Sequence, residues 1–323
     1  MNSSPASPPT TTVWAPPSPR NIWVEGPMLI HVRHRTRYIY DHPVHSMIQA
    51  LRLSPRNHEG QYVRRWQIDL DQEGTLRPGE DSFGNVLHML SLDGPLTSLS
   101  ITVEGEVEML DTNGIVRGAL EKFPAELYLR DTPLTQVDAE IAAFARGIAA
   151  KAGGSELKIL HGLLAGIHGE INFDTEQTDT ATTAADAFRL KHGVCQDLSH
   201  VFISAARHLG IPARYVGGYL MRSDDNIHQE AGHAWTEAYV AGLGWVGFDP
   251  ANGICPTEAH IRVSTGLDYL GASPIRGARL GGQSERMEVE VTVADSYQND
   301  PAQQTRWQQP AAAIEQASQQ LQA

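Results

Sequence analysis

The sequence predicts an α+β chain in which a β-rich first third precedes a block of helices and then an antiparallel sheet. Three observations predict it. Between Met28 and about Asp111, apolar and polar residues alternate at strand spacing. From about Thr135 to Gly210, apolar residues recur at helical spacing, and beyond Gly210 the strand texture returns.

The β-rich stretch contains "HVRHRTRYIYD", "MIQALRLSP", "YVRRWQIDL", "NVLHMLSLDG" and "LSITVEGEVEML", punctuated by Gly, Pro, Asn and Asp. Several strands at this spacing predict a β-sandwich-like domain of roughly 80–90 residues. Nothing in it clusters a nucleophile, a base and an acid. Four helices follow. "TQVDAEIAAFARGIAAKAGG" opens on a Thr cap and ends in Gly-Gly. "SELKILHGLLAGIHGEI" is the second, and "TAADAFRLKHG", closed by Gly193, is the third. "CQDLSHVFISAARHLG" is the fourth, with a stripe of Leu198, Val201, Phe202, Ala205 and Leu209 and a stop at Gly210. The strands "PARYVGGYLM", "HAWTEAYV", "GWVGFD" and "RMEVEVTV" complete a sheet on which the Cys-bearing helix is expected to pack.

The expected organisation is a disordered Pro/Ser/Thr-rich tail over 1–26 and a β-sandwich-like domain over 27–125. An α+β catalytic domain covers 126–296, and a Gln/Ala-rich tail covers 297–323. Apolar residues make up 41% and charged residues 20%, the balance of a soluble globular protein. The longest apolar runs are too short to span a bilayer, and the first residues lack a secretory pattern. Two cysteines sixty positions apart make no disulfide framework, so a cytoplasmic location is expected. The formal net charge of −13 argues against nucleic acid or an anionic membrane as partner. "HVRHRTRY" and "YVRRW" read as solvated strand faces. "HVRH" and "HPVH" have a spacing seen in metal sites, but they lie in strands and no Cys or carboxylate completes a set. No metal and no cofactor is expected.

Three positions carry chemistry. Cys195 opens the fourth helix, where unpaired N–H groups and the positive dipole end favour a thiolate. Asp197, two residues on, opposes it; at 4 Å its charge would disfavour a thiolate by ~1 kcal/mol in water. A cysteine there is by itself as readily a small buried hydrophobe. His233 opens "HAWTEAYV", and alternation puts His233, Trp235, Glu237 and Tyr239 on one face. Asp249 ends "GWVGFDP"; a turn-starting Asp-Pro is the plainer role for it. An odd-numbered hairpin loop would put His233 and Asp249 on the same face. A turn spanning Val240 to Gly244 would oppose Trp235 to Asp249 and make His233 a diagonal neighbour, roughly 7–8 Å away between backbones. Together the three supply a nucleophile, a base and a carboxylate to orient the base.

"GVCQD", "LGIPARYVGGYL", "HAWTEAYV" and "GLGWVGFDPANG" together resemble the bacterial transglutaminase-like family. The match runs from about Asn172 to Gly277, and the β-rich segment resembles the N-terminal domain of many members. The resemblance implies a papain-like fold with a Cys-His-Asp triad: Cys195 as nucleophile, His233 as base and Asp249 as orienting acid. The implied reaction is acyl transfer through a thioester on a peptide or protein amide. Two departures stand out. Cross-linking members carry a tryptophan upstream of the nucleophile, and here none lies between Trp66 and Trp235. Leu267 stands where relatives often have arginine. No calcium-binding acidic loop is evident. The missing tryptophan favours water as acceptor, a peptidase or amidase; a transglutaminase and a non-catalytic binding module are the alternatives. Cys255 reads as a structural thiol. His192 and His200 flank the Cys helix start, and Asn172 or Gln177 is placed to donate to an oxyanion beside the Cys195 N–H.

Overall fold

The computed structural model describes residues 26–174, 178–224 and 227–296. The tails expected over 1–26 and 297–323 fall outside these residues, Gly26 excepted. Alternation drives the first part. In β1 (Met28–Ser54), Ile30, Val32, His34, Thr36, Tyr38 and Tyr40 point inward, while Arg33, Arg35 and Arg37 face solvent. β2 (Gln61–Leu70), β3 (Thr75–Glu80) and β4 (Val86–Met109) complete the stretch. The exposed arginines meet carboxylates on neighbouring strands, Arg37 with Glu288 and Arg65 with Glu106. The basic runs are therefore one half of a charge mosaic.

Two of the expected strand pairs fuse. "HVRHRTRYIYD" and "MIQALRLSP" are both β1, and "NVLHMLSLDG" and "LSITVEGEVEML" are both β4. The two long strands pair antiparallel along their length, with register shifts after Ile39 and Val44. β2 flanks one half of this ribbon and β3 the other. Tyr38, Leu99, Ile101 and Val103 from one half share a core with Met47, Leu51, Leu90 and Leu92 from the other. One continuous sheet thus encloses a sandwich-like core.

β5 (Ile115–Val116) leads into the second part. α1 (Ala139–Lys151) and α2 (Glu156–Glu170) follow, then the two-residue β6 (Asn172–Phe173), α3 (Ala184–Leu190), β7 (His192–Gly193) and α4 (Cys195–His208). α1 is capped by Asp138, not by the expected threonine: its carboxylate accepts the Ile141 N–H at 2.8 Å. Thr135 is buried instead and bonds Arg207. α3 stops at Leu190 because Lys191 takes a left-handed conformation (φ 57°), so Gly193 does not close it. α4 is more deeply buried than a helix lying on a sheet: every residue from Gln196 to Arg207 is buried, with α1, α2, α3 and the sheet around it.

The second sheet is ordered β12-β8-β10-β11-β5, with β8 (Ala213–Leu220), β10 (His233–Val240), β11 (Gly244–Phe248) and β12 (His260–Gly266). The short β9 (His228–Gln229) falls between β8 and β10 in the chain but belongs to the first sheet, and α5 (Tyr269–Ala272) follows β12. "RMEVEVTV" does not join this sheet. It lies in β14 (Glu285–Asp295), which pairs with β1 from Ile30 to Tyr40, and β13 (Ile275–Gly281) pairs with the other half of β1. Local alternation identified the strand; the choice of partner was settled by the open edge of β1.

Two side-chain amides fasten the sheets together. Gln61 exchanges hydrogen bonds with the Arg262 backbone, both at 2.8 Å, and Asn85 does the same with Thr265, again at 2.8 Å. They satisfy the outer edge of β12, which would otherwise offer unpaired N–H and C=O groups. Below them Ile30, Val32, Val107, Tyr219, Ile261 and Val293 form a core shared by both sheets.

Candidate active site

Cys195 begins α4 and is half-buried, packed against the helical core. Several contacts fix that helix start. β7 pairs parallel with β6, and the Asp174 N–H reaches the Gly193 carbonyl at 3.0 Å. Asp197 folds back: its Oδ2 accepts the Val194 N–H at 2.9 Å and the Thr178 hydroxyl at 2.7 Å. A side chain at Gly193 would come within 2.8 Å of Asp197 Cβ, so this return needs glycine. Burial pushes the Asp197 carboxyl up, against the donations from Val194 and Thr178.

The β10–β11 hairpin brings the other two residues. Its pairs run from Thr236–Phe248 to Val240–Gly244, and the same register sets Trp235 opposite Asp249. The loop is Ala241 to Leu243, shorter than expected by the Val240–Gly244 pair but still odd, so the facing holds. His233 Nε2 lies 2.7 Å from Asp249 Oδ2. With Nε2 taken, Nδ1 is the nitrogen left to meet the Cys195 thiol, whose hydrogen bond and charge both act on the imidazole. The three residues converge.

Asp249 is fully buried and both starts a turn and holds the imidazole. Its Oδ1 accepts the Ala251 N–H at 3.1 Å and the Asn252 N–H at 3.2 Å. Its Oδ2 accepts from His233, from Asn252 Nδ2 at 2.7 Å and from His260 Nε2 at 3.2 Å. Gly253 (φ 67°) closes the turn against the His168 ring, where a Cβ would sit 2.8 Å from a ring carbon. Burial alone would raise the Asp249 carboxyl; the His233 charge and these donors hold it far below the ordinary carboxylate range. Burial likewise disfavours charge on His233, but Asp249, and then the contact with Cys195, push its pKa up to about 10. Trp235 stacks on His233, ring centroids 6.0 Å apart, and stands edge-on to His260 at 5.4 Å.

The ligand atoms of His233, Asp249 and His260 lie within 4.8 Å of one another, close enough for a metal set on distance alone. The Thr257 N–H donates to His260 Nδ1 at 3.1 Å, so Nε2 carries the hydrogen and aims it at Asp249. That leaves no lone pair on Nε2 for a cation, and the donor set reads as a hydrogen-bond chain.

The remaining sequence candidates fall elsewhere. Cys255 is a half-buried free thiol packed on the helical core, its pKa raised by burial. His200 is fully buried; its Nε2 accepts the Tyr269 N–H at 3.1 Å, and burial pushes its pKa down to about 4, so it anchors α5 as a neutral ring. His192 lies 3.5 Å from Asp174. Asn172 is exposed on β6, and Gln177 lies outside the described residues. The Leu267 carbonyl accepts from Arg207 at 2.6 Å, so a guanidinium reaches this corner from α4. Of the histidines near the "HVRH" run, His34 is buried and bonds Tyr219 Oη at 2.9 Å. Asn252 and His260 went unread in the sequence. Asn252 follows Asp249 within one turn, which is a usable signal. His260 had none that set it apart among fourteen histidines.

Known proteins agree with this architecture. Residues 30–108 match the bacterial transglutaminase-like N-terminal region, and residues 142–250 match the transglutaminase-like superfamily. The resemblance read from the motifs is borne out: the chain joins a β-rich N-terminal region to a transglutaminase-like core of papain-like fold. An uncharacterized protein of Mycobacterium leprae is 27% identical over 278 residues, spanning 82% of this chain and 98% of its own. A solved structure described as a candidate cysteine protease from Cytophaga hutchinsonii superposes with a TM-score of 0.66 at 17% identity, covering 84% of this chain and 92% of its own; that likeness is one of fold. The protein-glutamine gamma-glutamyltransferase of Pseudomonas aeruginosa is 29% identical over 105 residues, 29% of this chain and 16% of its own length.

Proposed function

We propose that this transglutaminase-like chain is a cysteine hydrolase that cleaves an amide or peptide bond through a thioester on Cys195. One observation carries the reading: His233 is bonded through Nε2 to a buried carboxylate, and a thiol at a helix start is near enough to act on the same ring. The pair works as thiolate and imidazolium, with Asp249 holding the charged ring in place. Cys195 Sγ attacks the amide carbon, a C–S bond forms, and the carbonyl electrons move to oxygen. The Asp197 and Leu198 N–H groups bond the Val194 carbonyl, so the Cys195 N–H at the helix start is the donor this reading assigns to the oxyanion. The C–N bond then breaks and the leaving amine takes the proton from His233. Water attacks the thioester, returns a proton to His233 and releases the acid and the thiolate.

An amine in place of water would make the same site a transglutaminase, a reading favoured by the partial likeness to the Pseudomonas enzyme. The absence of tryptophan between Trp66 and Trp235 favours water. Incubating the protein with a glutamine peptide and a labelled amine separates the two. Both reactions release one ammonia per acyl-enzyme, so hydrolysis predicts free glutamate product in excess of incorporated amine; ammonia release matched one for one by amine incorporation overturns it. A binding module without turnover predicts a Cys195 no more reactive toward iodoacetamide at pH 6 than free cysteine. The two free thiols suit a reducing compartment, the cytoplasm. Among the described residues no helix is long and apolar enough to cross a membrane.

A further inference from the structure

We propose that His260 is a positioning residue of this site, and that the working unit is a His–Asp–His chain rather than a triad. The inference rests on the cysteine-enzyme reading above. His260 is buried on the first residue of β12, eleven positions beyond the acid it touches. The Thr257 N–H occupies Nδ1, so the ring has one orientation in which it donates, and that donation goes to Asp249 Oδ2. The same oxygen holds His233. Asp249 therefore has its carboxylate plane pinned from both sides, by the imidazole that exchanges protons and by one that does not.

The surroundings fit a fixed ring. Trp235 packs edge-on against His260, and across the seam between the two sheets the cavity beside it is lined by His58, Glu237 and Arg262. The Glu237 carboxylate is taken up by Arg214 and Arg262 and does not compete with Asp249 for the His260 N–H. His58 spends Nδ1 on the Glu59 carbonyl. The chemistry of the chain is thus asymmetric: His233 exchanges its proton with Cys195 and the leaving group, whereas His260 only donates. Loss of the donor leaves Oδ2 to His233 and Asn252, and lets the carboxylate swing with its partner ring.

The test uses the full chain and iodoacetamide. His260→Gln keeps an N–H near the position of Nε2; His260→Leu and His260→Phe remove it and keep bulk. Alkylation of Cys195 is followed from pH 4 to 10, each variant well below its own Tm. Either apolar variant is expected to lose about tenfold in rate at neutral pH, the low end for one hydrogen bond to a charged group. The acid limb should also shift toward neutrality. His260→Gln is expected to stay within about threefold of wild type with the wild-type profile. An apolar variant with the wild-type rate and profile overturns the proposal, as does a glutamine variant that falls as far as the apolar ones. Nitrogen-15 spectra of the wild-type histidines keep the test open if the apolar variants unfold: protonated Nε2 with bare Nδ1 on His260 is expected, and the opposite tautomer overturns the proposal. Wild-type alkylation no faster than that of free cysteine would sink the enzyme reading itself, and the tautomer result would stand apart from it.

Discussion

Two carboxylates with no exposed surface lie on neighbouring strands of the second sheet: Glu237 in β10 and Asp249 just past β11. Both are saturated with donors, and both are held below the ordinary carboxylate range against the effect of burial. Their partners differ. Glu237 takes Arg214 at 2.6 Å and Arg262 at 2.7 Å, and Arg214 continues to Glu121 at 2.7 Å and lies over Trp245 at 3.9 Å. Those cations are permanent. Asp249 takes two imidazoles, one of which, His233, is the ring on which the Cys195 thiol acts. The guanidinium cluster binds the sheet together, while in the proposed hydrolase the imidazole cluster passes a proton to and from sulfur. Chemistry follows from the pKa of the partner, not from the burial of the acid.

The contrast is sharpened first by turnover. Cys195→Ala is expected to abolish labelling by a thiol-directed activity probe, and His233→Ala to lower kcat/KM by about 10²–10⁴. Asp249→Asn should lower kcat comparably, because the amide presents the wrong partner to His233. It should also draw the alkaline limb of the rate profile, expected near pH 10 in wild type, toward neutrality. Glu237→Gln is expected to behave the other way: urea unfolding should report a loss of about 3–5 kcal/mol, the cost of breaking a buried ion pair. Activity per folded molecule should stay within a few-fold. Full activity loss in folded Glu237→Gln would erase the distinction between the clusters.

The smallest expected effect is in pH and stability together. The His233 pKa is raised in the folded state, so its contribution is complete below about 6.5, the unfolded value. It is lost as pH climbs to about 10. Glu237 is depressed, so its contribution is present above the unfolded carboxylate value and fades as pH falls through its folded one. Thermal unfolding of wild type minus Asp249→Asn should therefore shrink from pH 7 to 10. Wild type minus Glu237→Gln should shrink only in acid.

How much of this was legible follows from where each signal is stored. Cys195, His233 and Asp249 each sit at an element boundary that local pattern marks, and the parity of the hairpin loop carried the facing of His233 and Asp249 even though the loop is shorter than expected. The amide docking of Gln61 and Asn85 was invisible, because a side chain that mimics a strand edge has no periodicity. His260 was invisible for a related reason: its role is set by a backbone N–H from Thr257 and by the meeting of β12 with the β11 turn. The fate of β14 was misread because alternation specifies a strand and one of its faces, but not its neighbour.

That last feature bears on how the molecule comes to exist. β1 is the opening strand of the described chain, and one flank of it stays unsatisfied until β13 and β14 arrive after more than two hundred intervening residues. During synthesis from the N-terminus the first sheet is therefore a template with a vacant side, while the helices and the thiol-bearing core are inserted between its halves. Closure of the sheet therefore waits on β13 and β14, so these long-range pairings are among the last contacts open to the described residues as they are made.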